Sequence, residues 1–451
     1  MTSNLPVAVV GAGPQGLAAA AHLLERGIEP LVLEAGDASA SAVRQWAHVR
    51  LFSSWSELVD PAAARLLAVS GWQRPGEGYP TGAEWVEAYL APLAEALGDR
   101  VRYGTRVTGV SRRGRDRLVS SGRGEQPFTV HVTTPAGEQR LDARAVVDAS
   151  GTWTQPGPAG ADGLPALGER LAAAQGRLTH RPPTPEELAA LAGRHVVVVG
   201  SGHSAMTAVN DLADLARTTP GTKVTWVLRR GLVGDTFGGG AADELPQRGA
   251  LGLRARQAVD DGLVDLVTGF RVESVTSPAE DGQRGVVLVA EDGRALPPAD
   301  RVVVLTGFRP DLTFLSELRL DLDPVLQAPT RLAGEIDPNL HSCGSVSPHG
   351  AAELAQPEHG LYLVGMKSYG RAPTFLAMTG YEQVRSVAAE LAGDHEAAAR
   401  VELVLPDTGV CGGAGLFDDP AGASSGGCCG PATADPAEPQ LVSIGSLFAR
   451  P

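Results

Sequence analysis

Two stretches of this chain share one pattern of hydrophobic and polar positions. In each, consecutive apolar residues lead into a glycine-rich turn and then into a segment with apolar residues at helical spacing; the stretches begin PVAVVGAGPQG and HVVVVGSGHSA. A short, continuous apolar run is typical of a parallel strand that is buried on both faces. The pattern therefore predicts two units, each with a buried strand that turns directly into a helix.

The first unit has the spacing G-x-G-x-x-G at Gly11, Gly13 and Gly16. These glycines allow a tight turn, a close approach of a pyrophosphate to the backbone, and packing of the helix on the strand. The next predicted strand, 31–33, ends in Glu34, roughly twenty residues beyond the fingerprint, where a carboxylate can accept hydrogen bonds from ribose hydroxyls. Together these features predict a dinucleotide site.

The second unit has Gly200, Gly202 and Ala205 in the turn. Its following strand, VTWVLRR, ends in Arg229 and Arg230, where the first unit has a carboxylate. Arginine binds phosphate through a planar fork of donors, so this pair favours a ribose that carries a 2′-phosphate. The sequence therefore predicts NADPH rather than NADH; the alternative is that the two arginines are solvated at a strand end.

Each unit continues with alternating strands and then a buried strand, which ends in Ser150-Gly151 in the first unit and in Thr306-Gly307 in the second. An internal repeat of this length predicts two stacked domains of one kind. The fold class is therefore α/β, with two Rossmann-like nucleotide-binding domains, each with a β-meander.

Composition excludes some classes of function. The 451 residues carry a formal net charge of −14, which offers no basic face to nucleic acid or to an anionic membrane. No uncharged apolar stretch is long enough to span a bilayer, and MTSNLP does not resemble a signal peptide. A cytoplasmic protein with a small-molecule substrate is the expectation; the oligomeric state stays open, with a homodimer as one option.

The last segment differs in composition. Residues 406–439 are rich in Gly, Ala, Pro, Ser and Asp, which predicts a flexible tail. This segment contains Cys411 and the adjacent pair Cys428 and Cys429, a dithiol suited to a soft metal or metalloid ion or to electron transfer. An inactive tail is the alternative, and Cys343 is expected to be a buried structural thiol.

Over about residues 5–395 the chain resembles flavoproteins with two dinucleotide-binding domains, the group of thioredoxin-reductase-like, glutathione-reductase-like and flavin-containing monooxygenase-like enzymes. The resemblance implies a glutathione-reductase-type fold, with FAD at the first fingerprint and NADPH at the second, so that a hydride passes between them. The implied domains are the first part of the FAD domain at 1–156, a connection at 157–190, the NADPH domain at 191–310, the return segment of the FAD domain at 311–395, and the cysteine-containing tail at 396–451.

Within this group, VRQWAHVRLFSSW and GSGHSA resemble the monooxygenase-like branch, with His203 in place of an asparagine. Neither position at which disulfide reductases of the group carry a redox cysteine pair contains a cysteine here. Met366 stands where those reductases have an aspartate, and of a further monooxygenase motif only Gly176 and His180 match, so His180 is as readily an ordinary loop residue. HVRLFSSW, GFRPDL, HSCGSV and GMKSYGRAPTFL resemble flavoproteins of bacterial arsenic-resistance loci.

The resemblance implies an NADPH-dependent FAD monooxygenase that oxygenates a soft nucleophile (sulfur, nitrogen or trivalent arsenic) through a flavin C4a-hydroperoxide and uses O2. One alternative is a thiol-disulfide or metalloid reductase that uses the tail cysteines, which a likeness to mercuric reductases suggests; another is a redox-sensing flavoprotein. The predicted polar neighbours of the reacting rings are His48, Arg50, His203 and Arg371, each with a solvated role as the alternative. Trp46, which has a purely core role as its alternative, joins the other implied cofactor contacts: Gly11, Gly13, Pro14, Gln15, Gly16, Glu34, Ala35, Val49, Leu51, Val107, Ser150, Gly151, Gly200, Gly202, Ser204, Ala205, Arg229, Arg230, Thr306, Gly307, Gly365 and Thr374.

Overall fold

A computed structural model describes residues 4–231, 236–243, 245–277, 285–338, 348–373 and 375–403, all within one compact unit, Met1–Gly415. The strands of the described residues are β1 (Val7–Val10), β2 (Pro30–Leu33), β3 (Val101–Arg102), β4 (Arg106–Arg112), β5 (Phe128–Thr134), β6 (Gly137–Ala143), β7 (Ala145–Asp148), β8 (Leu178–Thr179), β9 (His195–Val199), β10 (Lys223–Val227), β11 (Asp265–Val267), β12 (Val272–Thr276), β13 (Val287–Ala290), β14 (Arg301–Val304) and β15 (Leu361–Leu363).

The α-helices of the same residues range from single turns to four-turn helices. They are α1 (Pro14–Glu25), α2 (Ser41–Gln45), α3 (Trp55–Leu58), α4 (Pro61–Ala68), α5 (Gly82–Trp85), α6 (Ala91–Leu97), α7 (Glu169–Ala174), α8 (Pro185–Ala190), α9 (His203–Thr218), α10 (Pro246–Asp260), α11 (Thr330–Ile336), α12 (Ala351–Leu354), α13 (Ala377–Leu391) and α14 (His395–Ala399).

The first sheet has the strand order β15-β7-β1-β2-β3, and its neighbouring strands are all parallel. The four residues of β1 are buried, as are those of β7, because helices cover one face and the three-stranded meander β4-β5-β6 covers the other. Since the strands are parallel, the carboxyl ends of β1, β2, β7 and β15 lie along one edge. We call this edge the first nucleotide edge.

The second sheet repeats this plan in the order β11-β10-β9-β14-β8, again with parallel neighbours. The antiparallel pair β12-β13 packs against one face of this second sheet. The edge strand β8 comes from the segment 157–190, so the predicted connection also contributes to the second sheet. The carboxyl ends of β9, β10 and β14 form the second nucleotide edge.

The two chain segments that run between the sheets, near residues 156 and 308, pair with each other. Pro156 forms an antiparallel bridge with Phe308, and the amide of Gly157 donates to the carbonyl of Gly307 at 2.7 Å. The ring of Phe308 also lies 5.0 Å from that of Trp153, measured between centroids. These contacts join the segments that follow β7 and β14, the two strands that end at the nucleotide edges.

The predicted α/β class and the two similar nucleotide-binding units are confirmed. Helix α14 extends the described chain beyond residue 396, at which the sequence predicted the tail to begin. Cys411, Cys428, Cys429 and Cys343 all lie outside the described residues. Among the helices of the described part of the chain, none is long and apolar enough to cross a membrane.

Candidate functional site

The glycine turn of the first edge is shaped by backbone packing. Gly11 has a φ of +97°, and a Cβ there would lie 3.0 Å from the carbonyl oxygen of Ala149. A Cβ at Gly16 would lie 1.9 Å from the carbonyl oxygen of Gly11, so only glycine lets α1 pack this closely on the turn. Gly13, in contrast, faces open space, since a Cβ there would have no neighbouring atom within 4 Å. That space adjoins the first N–H groups of α1, where a phosphate can bind.

Glu34 lies where β2 ends and is buried, with 8% of its surface exposed. Its Oε2 accepts a hydrogen bond from the amide of Ala12 at 2.7 Å, and its Oε1 accepts from the amide of Gly36 at 2.8 Å. Both bonds hold the carboxylate beside the glycine turn. The remaining lone pairs can accept bonds from ribose hydroxyls, as predicted from its spacing.

Gln15 carries an acceptor that lacks a partner. Its Nε2 donates to the carbonyl of Ala377 at 3.0 Å, at the start of α13, but its Oε1 is buried and accepts no hydrogen bond. The side chain packs against Gly365 and Gly380, where added Cβ atoms would lie 2.8 and 2.4 Å from it. Buried acceptors normally have a donor. An orphan oxygen beside a helix N-terminus and an open glycine turn therefore fits a bound dinucleotide with hydrogen-bonding groups.

Ser150 follows β7 at the same edge and touches the glycine turn, since a Cβ at Gly11 would lie 3.1 Å from the Cα of Ser150. Its hydroxyl donates to Oδ1 of Asp148 at 2.6 Å and accepts from Nζ of Lys367 at 2.9 Å. Gly151, with a φ of +67°, also faces open space. The structure therefore places Ser150 and Gly151 beside the first turn, and their role as cofactor contacts stays a prediction.

Sequence reasoning missed Lys367 and Asp148. The two side chains are fully buried and form an ion pair, with 2.6 Å between Nζ and Oδ2. Oδ2 accepts no hydrogen bond of ordinary geometry, so the contact is electrostatic. The sequence does single out Lys367 in one respect: of the 38 basic residues, only Lys223 and Lys367 are lysines.

The glycine turn of the second edge has the same geometry. Gly200 has a φ of +132°, and a Cβ there would lie 2.2 Å from the carbonyl oxygen of Leu305. Gly202 precedes α9 and, like Gly13, faces open space. Ala205 is fully buried where the helix packs on the sheet, whereas Ser204 is exposed. The second fingerprint therefore provides the same kind of open turn before a helix N-terminus.

Arg229 and Arg230 follow β10 at this edge. Arg229 is exposed, and its Nη1 donates to the carbonyl of Ala161 at 3.1 Å; Arg230 is half-buried. Thr306 and Gly307 follow β14 and bind the crossing segment instead, since the hydroxyl of Thr306 donates to the carbonyl of Pro158 at 3.0 Å. The arginines therefore stand where the sequence places them, at the strand end.

His203 contacts the first half of the chain from the second edge. It is the first residue of α9, and its ring centroid lies 5.3 Å from that of Phe52, in the segment 43–55 that follows the first unit. Burial lowers the pKa of His203 to about 4, and the nearby Arg248 guanidinium adds to this effect while Asp243 opposes it. The imidazole is therefore neutral at pH 7.

The other residues predicted from the 43–55 segment have local partners. The ring of Trp46 packs on Gly82, where a Cβ would lie 3.0 Å from ring carbons. Arg50 bonds the carbonyl of Tyr79 and lies 3.7 Å from a carboxylate oxygen of Glu84. The main chains of Val49 and Leu51 pair with Gly82 and Pro80. Their roles as flavin neighbours stay predictions.

His48 is half-buried, and its Nε2 has no hydrogen-bond partner. Burial lowers its pKa, with the Arg181 guanidinium contributing, which favours the neutral ring. His180 is 3.0 Å from the buried carboxylate of Glu169, which also accepts from the amides of Ala159 and Ala166; this is a structural contact.

Three predicted contacts remain. Arg371 donates through Nε to Oε1 of Gln327 at 2.9 Å and is exposed. Val107 lies at a bulge of β4, half-buried against the meander core. Thr374 lies outside the described residues.

A cavity of about 380 Å³ lies away from both nucleotide edges, near the last turn of α1. Its charged walls pair with each other: Arg65 binds Glu25 at 2.6 Å, and Arg385 binds Glu382 at 2.6 Å. Because its charges are already neutralised, we assign no cofactor to it.

The family of the chain follows from a comparison with known protein families. Residues 8–330, which include both fingerprints, match the pyridine nucleotide-disulphide oxidoreductase family. The chain belongs to this family. It is a flavin-dependent oxidoreductase with FAD and NAD(P)H as its cofactors, and the predicted resemblance to flavoproteins with two dinucleotide-binding domains is confirmed.

Solved structures of similar fold have different activities. A bacillithiol disulfide reductase from Bacillus cereus superposes with a TM-score of 0.62 at 22% identity, over 86% of this chain and 99% of that one. A flavin monooxygenase from Stenotrophomonas maltophilia, as a double mutant, gives 0.55 at 20% identity over 86% and 98%. The thioredoxin reductase of T. acidophilum gives 0.53 at 15% identity over 86% and 98%. At these identities the likeness establishes the fold alone.

Proposed function

We propose that this protein is an NADPH-dependent FAD monooxygenase that oxygenates a small soft nucleophile containing sulfur, nitrogen or trivalent arsenic. The observation that carries the proposal is the absence of any cysteine from residues 1–342, which supply both glycine turns and most of both nucleotide edges. The groups that the described residues place at these edges are carboxylates, an amide, hydroxyls, an ammonium, guanidinium groups and an imidazole. None of them exchanges electrons with a disulfide.

The protein's own residues bind and orient the cofactors. Glu34 would hold the adenosine ribose of FAD, and the open turn at Gly13 would hold its pyrophosphate at the N-terminus of α1. Gly202 would do the same for NADPH, with Arg229 and Arg230 at its 2′-phosphate. When bound, FAD supplies the redox chemistry: it accepts a hydride and passes the electrons to oxygen.

The contact between Phe52 and His203 supports a dry junction between the two cofactor sites. A neutral imidazole beside an aromatic ring holds no tightly bound water shell, whereas an imidazolium would. Excluding water favours oxygen transfer to the substrate over release of the reduced oxygen as hydrogen peroxide. This arrangement suits a monooxygenase, although a reductase can use it as well.

A reductase is the second candidate. The adjacent Cys428 and Cys429 form a dithiol in the sequence, and the superposed structures include a bacillithiol disulfide reductase. In that case the tail cysteines, joined as a disulfide, would accept two electrons from reduced FAD, and the dithiol so formed would reduce a disulfide or a metalloid ion and return to the disulfide.

One experiment separates the candidates. The full chain with FAD is given NADPH under ¹⁸O₂ and, in separate reactions, a thioether, a primary amine or arsenite as the substrate. The products are analysed by mass spectrometry. The proposal expects ¹⁸O in one product and unchanged turnover in the double variant C428S/C429S. It is overturned if no product contains ¹⁸O while a disulfide or metalloid is reduced by the wild type and not by the double variant.

A further inference from the structure

The ion pair of Lys367 and Asp148 lies at the first nucleotide edge. β7 ends at Asp148, which pairs in register with Leu363 at the end of β15, and a single 3₁₀ turn, Gly365–Tyr369, then carries Lys367 back toward it. Ser150, two residues beyond Asp148, touches the glycine turn that would hold FAD. Ser150 therefore links the ion pair to the glycine turn of the first nucleotide edge.

The polar contacts of this cluster are short and shared among three side chains. Nζ of Lys367 reaches Asp148 at 2.6 Å and Ser150 at 2.9 Å, and it lies 4.4 Å from the ring centroid of Phe314. Oδ1 of Asp148 accepts from both the amide and the hydroxyl of Ser150, at 3.1 and 2.6 Å. Ser150 is therefore held by both partners of the ion pair.

Stability does not explain why the pair is there. Burying two charges has a desolvation cost that often equals or exceeds their attraction, and apolar residues can replace such pairs without loss of stability. Several other buried ion pairs of the described residues use arginine, as in Arg112–Glu358, Arg248–Asp243 and Arg385–Glu382. At this edge the chain instead has a compact ammonium, which concentrates its charge at one point.

We propose that the charges of Lys367 and Asp148 set the reduction potential of the bound FAD, with Ser150 as the residue that lies between the ion pair and the cofactor turn. Hydride transfer brings two electrons and one proton, so the flavin gains one negative charge on reduction. A cation nearby stabilises that charge, a carboxylate opposes it, and charges close to the flavin ring tune its electronics. The wild-type pair balances the two effects. The inference requires only FAD binding, so it is independent of whether the enzyme is a monooxygenase or a reductase.

The two single variants therefore have opposite effects. In Lys367→Met the unpaired carboxylate opposes reduction, and we expect the ratio of reduced to oxidised FAD at a fixed potential to fall roughly tenfold, a shift of about −30 mV for a two-electron couple. In Asp148→Asn the unpaired ammonium favours reduction, and the ratio rises by a similar factor. The double variant returns close to the wild-type value.

The measurement is anaerobic equilibration of the FAD-loaded full chain with a reference dye, read from the absorbance of both. Matched controls are Arg112→Met and Glu358→Gln, because that buried ion pair lies near the amino end of β15, at the opposite edge of the same sheet. These controls should lower the denaturant midpoint without moving the FAD potential. A purely structural role of Lys367 would loosen the site in both single variants and shift the potential in one direction.

The proposal is overturned if the two single variants shift the potential in the same direction or if neither changes the ratio by more than twofold. Should Lys367→Met fail to retain FAD, Asp148→Asn decides alone: an unchanged or lower ratio of reduced to oxidised FAD contradicts the proposal.

Discussion

The two nucleotide edges of this protein have matching backbones and different side chains. In both, a buried parallel strand enters a turn whose first glycine has a positive φ and packs on a neighbouring carbonyl, and whose second glycine faces open space. The next strand ends in Glu34 at the first edge and in Arg229 and Arg230 at the second. From this difference we infer that the turn offers a general site for a pyrophosphate and propose that the residue at the next strand end selects the nucleotide.

The edges also differ in how they treat charge. The first edge holds a buried ion pair, Lys367 and Asp148, and Ser150 lies between this pair and the glycine turn. At the second edge burial lowers the pKa of His203 to about 4, with the Arg248 guanidinium adding to this effect and Asp243 opposing it, so the ring is neutral at pH 7. A charged cluster beside one cofactor and a neutral ring beside the other would give the two sites different electrostatic roles.

The largest expected effect comes from the glycines that pack on backbone. Gly16→Ala should weaken FAD binding by roughly 100-fold or more and leave NADPH binding within about threefold, because the methyl group would displace a backbone segment at a cost of about 3 kcal/mol. Gly200→Ala should do the reverse. Flavin fluorescence and NADPH titrations measure both, with Gly124→Ala, which faces open space, as the control. If one substitution abolished both affinities, the edges would not be independent.

The next effect concerns coenzyme choice. Replacing Arg229 and Arg230 by alanine should lower kcat/KM for NADPH roughly 100-fold and leave that for NADH within about threefold, since charged hydrogen bonds contribute ~1.5 kcal/mol or more each. Arg217→Ala, in the last turn of α9, is the matched control. Equal losses with the two coenzymes would contradict the assignment of these arginines to the 2′-phosphate.

The pH dependence of stability tests the neutral histidine. Since the pKa of His203 falls from its usual 6.5 to about 4 on folding, the unfolded chain binds the extra proton between these values. The contribution of His203 to the free energy of unfolding is therefore complete above pH 6.5 and is lost as the pH falls toward 4. Denaturation of wild type and His203→Asn at pH 4.5 and 7.5 measures it, and the variant should show the smaller pH dependence. Identical pH dependences would contradict a neutral ring in the folded state.

The smallest effect belongs to the ring contact between Phe52 and His203. Phe52→Leu should raise KM for NADPH about twofold to fivefold, because an aromatic pair contributes about 0.5–1.5 kcal/mol beyond its buried area. A double-mutant cycle with His203→Asn isolates this contribution, with Trp72→Phe, whose ring packs on Tyr89, as the control. Strictly additive effects of Phe52→Leu and His203→Asn would show that the rings are not energetically coupled.

The sequence by itself determined both glycine turns, their strands and helices, and the carboxylate and arginines at the strand ends. These features follow from local rules: a turn followed by a helix needs glycines at fixed spacing, and a strand buried on both faces needs a continuous apolar run. The segment 157–190 follows no such rule, because the two-residue strand β8 has no pattern of its own and pairs only with β14.

Only the tertiary structure decided which distant residues meet at the edges. Lys367 reaches Ser150 across 217 positions of the chain, Gln15 reaches Ala377 across 362, and Phe52 meets His203 from the other unit. No local pattern encodes these contacts, because they depend on which strand ends lie side by side and on which side chains are then removed from water. The buried charges and the neutral histidine of the two edges are consequences of that packing.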